Sequence, residues 1–207
     1  MINLFVFITN EEQYKELLKY PIKAICTNNY ELALQHQEIY YEIGSDETLK
    51  VIPTNLLAND TGIIYKYKDS HNIITNFNLN VANTATIKLL KENNVKYIGI
   101  SLECSIKDLE NLSFKDNIIC YLYGRPRVMF LKSHPFLQDG DILKNINNKE
   151  YQVKKEKDKI VLYHYDVLDK RKHLSAYTTS GINNFYLHFT NESPSMLADI
   201  IKSIIEK

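Results

Sequence analysis

The feature that most constrains the fold is an alternation of two patterns along the chain. Short runs of β-branched and aromatic residues recur, and most are followed by a stretch with apolar residues at helical spacing. Strands that alternate with helices build parallel sheets, because each helix returns the chain to the same end of the sheet. The sequence therefore predicts an α/β fold, a (β/α) barrel or partial barrel with mostly parallel strands.

The individual elements follow from these runs and from capping residues. We expect strands at 3–8, 22–26, 38–41, 50–53, 72–77, 97–101, 117–123 and 184–189. We expect helices at 11–19, 30–35, 83–92 and 170–180, and a closing helix that starts near Pro194. Asn10 and Ser105 precede helical stretches as candidate N-caps, and Asp108 stands three residues after Ser105 as in a capping box. Spacing places one set of apolar residues on inner helix faces: Ala82, Ala85, Leu89, Leu90, Leu197, Ile200, Ile201, Ile204 and Ile205.

Residues 139–166 show a different rhythm. The stretch INNKEYQVKKEKDKIVLYHY alternates apolar and polar residues around lysine-rich turns. This pattern is typical of antiparallel hairpins outside a parallel sheet. We expect an appended β-ribbon at 139–166 within a single α/β domain that spans 1–207.

Composition narrows the classes of partner. Lys+Arg and Asp+Glu both number 25, so no overall charge attracts the chain to nucleic acid or to an anionic membrane. The sequence contains no apolar stretch of the roughly 20 residues needed to cross a bilayer. Met1 is followed by a strand-like run and not by the basic and apolar regions of a secretory signal. We therefore expect a cytoplasmic protein without membrane contact. Cys26, Cys104 and Cys120 are far apart in apolar runs, which favours reduced buried thiols.

Polar residues collect where predicted strands end, which is where parallel α/β folds bind ligands. Asn78, Asn80 and Asn83 could position a ligand through their amides, or cap a helix and hold a turn. Three further candidates for substrate binding stand at other junctions: Ser101, Tyr123 and Glu192.

Three residues are candidates for catalysis. Glu103 ends IGISLE among apolar neighbours that could raise its pKa for acid or base work, or it could face a helix N-terminus. Arg125 flanks Pro126 and could grip a carboxylate or phosphate, or form a salt bridge with Glu103 or Glu192. His134 precedes Pro135, which favours an extended backbone and an exposed imidazole, although a structural role is also open.

Local motifs for cofactors are absent from the sequence. The histidines show no HxxxH or HExxH spacing, the cysteines form no CxxC pair, and no glycine-rich phosphate loop occurs. We therefore expect no metal and no other cofactor.

Two central segments resemble the collagenase-like peptidase family, peptidase family U32. They are NFNLNVANTATIKLLKENNVKYIGISLECSIKDLENL and IICYLYGRPRVMFLKSHPF. The match consists of an Asn-rich strand end with N-x-x-N, a strand ending in S-x-E, and a YGR-x-x-x-M segment. FYLHFTNES is similar to the family's late strand with a Thr-x-Glu motif.

The resemblance implies a barrel-like α/β fold and a hydrolase that acts on peptides. It also implies that this chain matches the second half of longer relatives, some of which hydroxylate RNA bases or quinone precursors with an iron–sulfur cluster. His134 stands where those relatives usually have a cysteine, and no cysteine follows it. The expected cluster ligands are therefore missing from this chain.

Three functions remain open at this point. The first is a peptidase-like enzyme whose mouth contains Asn80, Glu103, Arg125 and His134. The second is a non-catalytic half-barrel that binds a partner chain, or a second copy, through open strand edges. The third is RNA modification, which needs a basic face that the neutral composition does not indicate.

Overall fold

A computed structural model describes residues 1–44, 47–132, 134, 136–156 and 159–206. The chain forms two compact units, Met1–Leu122 with Lys170–Lys207, and Tyr123–Asp169. Three residues on which sequence expectations depended lie outside the described residues: Lys157 and Asp158 of the lysine-rich turn, and Pro135 beside His134.

The first unit is a closed barrel of eight parallel strands. Their bounds are β1 (Asn3–Ile8), β2 (Ala24–Thr27), β3 (Tyr40–Ile43), β4 (Asn55–Ala58), β5 (Asn72–Thr75), β6 (Val95–Gly99), β7 (Ile118–Gly124) and β13 (Asn184–His188). Consecutive strands from β1 to β7 pair in order, and β13 lies between β7 and β1. The ring closes with these strands alone, so the prediction of a (β/α) barrel is confirmed in its complete form. The half-barrel hypothesis assumed missing strands, and the closed ring removes that premise.

Helices follow the strands as the alternation predicted. Their bounds are α1 (Glu11–Leu17), α2 (Tyr30–Gln35), α3 (Thr61–Tyr67), α4 (Thr84–Glu92), α5 (Ile106–Glu110), α6 (Leu174–Thr179) and α7 (Pro194–Ile205). Asn10 accepts a hydrogen bond from the Gln13 amide, and Ser105 and Asp108 form the expected capping box. Pro194 is the first residue of α7, where its missing N–H costs nothing.

Four expectations about elements were wrong. Residues 50–53 form no strand, and the chain instead forms β4 and α3 shortly afterwards. Along α4 the buried residues are Ile87 and Leu90, whereas Leu89 is exposed. Ala82 and Ala85 are also exposed. Ile205 is more than one third exposed, while the other four apolar residues expected on the inner face of α7 are buried.

The second unit is built around a four-stranded antiparallel sheet. Its strands are β8 (Arg127–Leu131), β9 (Ile142–Lys144), β10 (Glu150–Glu156) and β11 (Lys159–His164), in the order β8-β11-β10-β9. Val153, Ile160 and Leu162 form its buried core. β12 (Leu168–Asp169) pairs antiparallel with the last residues of β7. The expected ribbon at 139–166 is confirmed as antiparallel hairpins, and the sheet also includes β8.

Candidate functional site

Several polar and aromatic side chains point into the barrel near the carboxyl ends of its strands. Phe5 and Tyr97 lie on non-adjacent strands, yet their ring centroids are 4.9 Å apart, so both point inward. Side chains alternate along a strand, and Phe7 therefore shares this inner face with Phe5. His188 of β13 packs edge-on against Phe7 at 4.5 Å. This inner face ends at the mouth of the barrel, by which we mean the end formed by the carboxyl ends of the strands. Loops and helix N-termini place functional groups there in (β/α) barrels.

A buried carboxylate and a buried carboxamide meet at this mouth. The Asn76 Nδ2 group donates a hydrogen bond to Glu42. Glu42 is 4% exposed and Asn76 is 7% exposed. Since Glu42 lies on β3 and Asn76 follows β5, the bond spans β4. A buried carboxylate is costly unless it is hydrogen-bonded, so the Asn76 amide satisfies one of its oxygens.

The orientation of Asn76 is fixed by backbone groups. Its Oδ1 atom accepts a hydrogen bond of 2.7 Å from the Phe77 N–H, and its own N–H donates to the Ala58 carbonyl at 2.9 Å. The side-chain nitrogen is therefore directed toward Glu42.

Burial and then the Glu42 charge raise the pKa of the Cys26 thiol, which keeps that fully buried thiol protonated.

An aromatic cluster lines the same end of the barrel. The Phe77 ring centroid lies 4.9 Å from that of Tyr186 and 5.2 Å from that of Tyr121. Tyr121 and Tyr186 are in turn 6.3 Å and 6.0 Å from the His188 ring. We call Phe7, Phe77, Tyr121, Tyr186 and His188 the mouth cluster. It combines apolar ring faces, tyrosine hydroxyl groups and an imidazole, and it is linked to the Glu42–Asn76 pair through Phe77, whose N–H donates to the Asn76 side chain.

Gly99 permits the chain segment that carries Asn76 to approach β6. A Cβ atom at Gly99 would lie 3.0 Å from the Thr75 carbonyl oxygen and 3.2 Å from the Phe77 nitrogen. These are backbone atoms of the turn that places Asn76 and Phe77. The absence of a side chain at Gly99 therefore helps to position the Glu42–Asn76 pair.

The start of α1 and the loop before α7 are joined at the rim. Gln13 is fully buried, accepts a bond of 2.9 Å from the Thr9 N–H, and donates one of 2.9 Å to the Glu192 carbonyl. The Glu192 carboxylate accepts bonds from the Thr190 and Asn191 amides at 2.7 and 3.1 Å. These bonds give Glu192 a role in shaping its own loop, whereas substrate binding by Glu192 stays a prediction.

The three asparagines predicted to bind substrate are exposed. Asn83 accepts a bond of 2.9 Å from the Thr86 amide as the N-cap of α4, which is the capping alternative. Asn80 adopts a left-handed conformation with φ of 48°, and its amide closes the turn to Phe77. Asn78 bonds the Asn59 side chain at 3.5 Å. In the structure these three asparagines stabilise local turns and a helix cap. Contact between them and a ligand stays a prediction.

The predicted catalytic residues are divided between the two units. Glu103, in the barrel unit, is exposed, and its N–H donates to the buried Ser101 hydroxyl at 3.3 Å. In the second unit, the Arg125 Nε atom donates to the Tyr165 carbonyl at 3.1 Å. His134 is exposed beside Phe136, with ring centroids 6.0 Å apart. Tyr123 is buried and pairs through its backbone with Asp169.

A second cationic residue of that unit is better buried than Arg125. The Arg127 guanidinium donates from Nε to the Tyr163 hydroxyl at 2.8 Å and lies 3.7 Å from the Glu156 carboxylate. Tyr163 also donates to Glu156, and burial raises the pKa of Tyr163. This arrangement joins β8, β10 and β11, so Arg127 has a structural role within the sheet.

Sequence reasoning did not single out Glu42, Asn76 or His188 as site residues. One signal was present, because Glu42 interrupts the apolar run YYEI with a charge. The expected third strand ended at Tyr41, one residue too early to place Glu42 inside the barrel. Asn76 and His188 stood within polar junctions, but their inward direction depends on contacts across the barrel.

Two kinds of feature are absent from the part of the chain that the structure describes. No group of three or more His, Cys, Asp or Glu side chains there could hold a metal ion. None of the helices formed by those residues is both long and apolar enough to span a membrane.

Comparisons with known proteins give a distant likeness of fold. No protein-family model matches the chain, and no curated protein matches it. The spore cortex-lytic enzyme SleL of Bacillus cereus is similar in structure, with a TM-score of 0.45 and 8% sequence identity over 98% of this chain and 74% of that chain. SleL of Bacillus megaterium QM B1551 has a TM-score of 0.34 with the same identity and coverage.

Proposed function

We propose that this chain is a hydrolase of the peptidase U32 type that acts on peptides at the mouth of its barrel. The observation that carries the proposal is the buried Glu42–Asn76 pair at the carboxyl ends of the strands. Asn76 opens the segment NFNLN, which is part of the resemblance to that family. The resemblance and the buried pair therefore point to the same end of the barrel.

Glu42 is the proposed general base. Its carboxylate takes a proton from a water molecule as the water oxygen attacks the carbonyl carbon of the peptide bond. The carbon–nitrogen bond then breaks, and the proton passes from Glu42 to the leaving amine. Asn76 holds the carboxylate in place through its Nδ2 group, because its Oδ1 atom is already bonded to the backbone.

The mouth cluster is the proposed contact surface for peptide side chains. Aromatic rings supply large apolar faces, and tyrosine hydroxyls add hydrogen-bonding groups at the same surface. His188 is 4% exposed among Phe7, Tyr121 and Tyr186, which suits a role in orienting the substrate. Ligand pockets commonly combine such apolar walls with a few polar groups.

A second candidate is peptide binding without cleavage. It is favoured by the packing of Phe77, which is 6% exposed and contacts both Tyr121 and Tyr186. Glu42 itself is only 4% exposed. In this second candidate the Glu42 carboxylate stabilises the barrel, and exposed residues at the carboxyl ends of the strands bind the peptide.

A single experiment separates these candidates. The purified chain is incubated in H₂¹⁸O with a mixed peptide pool, and mass spectrometry records new termini and ¹⁸O incorporation. The proposal expects labelled new carboxyl termini from the wild type and from Glu12→Gln, a change at an exposed glutamate of α1. It expects their loss in Glu42→Gln. Retention of peptides on the immobilised chain without new termini would instead support binding alone. The absence of both cleavage and retention would overturn the proposed function.

A further inference from the structure

Two cysteines that are far apart in sequence line one cleft of the barrel unit. Cys104 follows β6 and Cys120 lies within β7. Both line a small open cleft, together with Ser101, Lys170 and Tyr177. The sequence favoured reduced buried thiols far apart along the chain, and the fold brings two of the three to one cleft.

The backbone explains how these residues meet. The Ile100 N–H donates to the Ile119 carbonyl at 3.0 Å, which aligns the end of β6 with the start of β7. The Cys104 N–H then donates to the Ser101 carbonyl at 3.2 Å, so the chain turns back beside β7. Lys170 is held there by its own N–H, which donates to the Leu122 carbonyl at 2.9 Å.

The two thiols differ in access but share an electrostatic environment. Cys104 is partly exposed, whereas Cys120 is 6% exposed. Burial raises the pKa of both thiols, to about 12 for Cys120; the Asp108 and Glu103 carboxylates raise that of Cys104 further, and the Lys170 ammonium opposes the shift at both. The thiols are also close enough to influence each other's charge. Cys104 is therefore the thiol that a reagent reaches first, and Cys120 is its neighbour.

We propose that Cys104 is a site of covalent modification by hydroperoxides and that Cys120 resolves the product into an intramolecular disulfide. This inference stands independently of the proposed hydrolase function. Cys104 sulfur attacks the hydroperoxide, the O–O bond breaks, and sulfur becomes a sulfenic acid while the leaving alkoxide takes the thiol proton. The Cys120 thiol then attacks Cys104 sulfur and releases water. Two thiols and one hydroperoxide thus give one disulfide, one alcohol (water from hydrogen peroxide) and one water.

Peptide mapping after oxidation tests the pair directly. The reduced full chain is treated with hydrogen peroxide at pH 8, blocked with N-ethylmaleimide, and digested with trypsin without reduction. The two cysteines lie in separate tryptic peptides, residues 97–107 and 116–127. We expect these peptides to be cross-linked, with Cys26 recovered as its maleimide adduct after denaturation because it is fully buried in the barrel. Over-oxidation of Cys104 without a cross-link, or equally fast oxidation of Cys26, would overturn the proposal.

Variants separate the attacking and the resolving thiol. Cys120→Ser, or Cys120→Ala if the serine variant does not fold, is expected to trap the sulfenic acid and to raise dimedone labelling of Cys104 about tenfold. Lys170→Met is expected to slow the reaction about threefold, because it removes a charge that favours the thiolate. Lys172→Met, at an exposed lysine nearby in sequence, is the matched control and leaves the rate unchanged. Equal rates in the two lysine variants, or dimedone labelling in Cys120→Ser no higher than in the wild type, would contradict the assignment.

Discussion

Asn76 donates a hydrogen bond from its side chain to the carboxylate of Glu42, across the intervening strand β4. The bond joins two of the eight barrel strands that are not neighbours in the sheet. It therefore ties the interior of the barrel together at the end where the proposed chemistry takes place. Its contribution to stability can be measured separately from any activity.

Removal of Asn76 should destabilise the barrel. In Asn76→Leu the buried Glu42 carboxylate loses the hydrogen bond from Asn76, and we expect the free energy of unfolding to fall by about 2–4 kcal/mol. Glu42→Leu with Asn76→Leu should recover part of this loss, because no buried charge remains. Urea unfolding followed by circular dichroism measures both variants. A loss below about 0.5 kcal/mol in Asn76→Leu would mean that the pair is solvated.

A methyl group at Gly99 should disturb the turn that carries Asn76. In Gly99→Ala the new Cβ atom meets backbone atoms of Thr75 and Phe77. We expect a loss of about 1–3 kcal/mol in the free energy of unfolding, as for overpacking of a tight interior. Thermal and urea unfolding measure it.

Gly62→Ala is the matched control for that substitution. Gly62 lies in the first turn of α3, and its added Cβ would meet the Asp60 Oδ1 atom at 3.0 Å, the end of a side chain that can shift, rather than backbone. Alanine favours the helix by up to about 1 kcal/mol, so this variant should be neutral or more stable. Equal losses at Gly62 and Gly99 would refute the close-approach explanation.

Alkaline pH should weaken the fold partly through Tyr177. Burial and then Cys120 raise the pKa of Tyr177 to about 12, from about 10 in an unfolded chain. The folded state thus favours the neutral phenol, and its contribution is fully present below pH 10 and is lost as the pH rises toward 12. Tyr177→Phe should flatten this part of the stability profile. Tyr65→Phe, at an exposed tyrosine, should leave the profile unchanged.

Tyrosinate absorbance gives the corresponding spectroscopic check. The wild type should show tyrosine ionisation near pH 12 from both Tyr14 and Tyr177, and Tyr177→Phe should lower its amplitude by the contribution of one tyrosine. Ionisation of every tyrosine near pH 10 while the protein remains folded would contradict the burial assigned to Tyr177.

Features set by short-range interactions could be predicted from the sequence. The N-caps at Asn10 and Ser105 are confirmed because each depends on a side chain and an amide three residues away. The strands β1 and β13 are apolar runs with clear ends, and α2 was predicted with its observed bounds. The alternation of these elements sufficed for the (β/α) fold class.

Features that depend on distant contacts could not be predicted in the same way. β4 has only four residues, and the apolar Val51 and Ile52 shortly before it placed the expected strand at 50–53 instead. The helix α4 carries apolar residues on more than one side, so spacing alone did not select Ile87 with Leu90 over Leu89. The inward direction of Glu42 becomes visible only when β3, β4 and β5 form part of a closed ring.

The most direct test of the proposed function compares two carboxylates in one kinetic assay. A peptide identified from the ¹⁸O experiment is used to measure kcat/KM for the wild type, Glu42→Gln and Glu103→Gln. With Glu42 as general base, we expect kcat/KM to fall about 10²–10⁴-fold in Glu42→Gln and to stay within about threefold of wild type in Glu103→Gln. A large loss in Glu103→Gln with full activity in Glu42→Gln would contradict the account and would assign the catalytic role to the exposed residue instead.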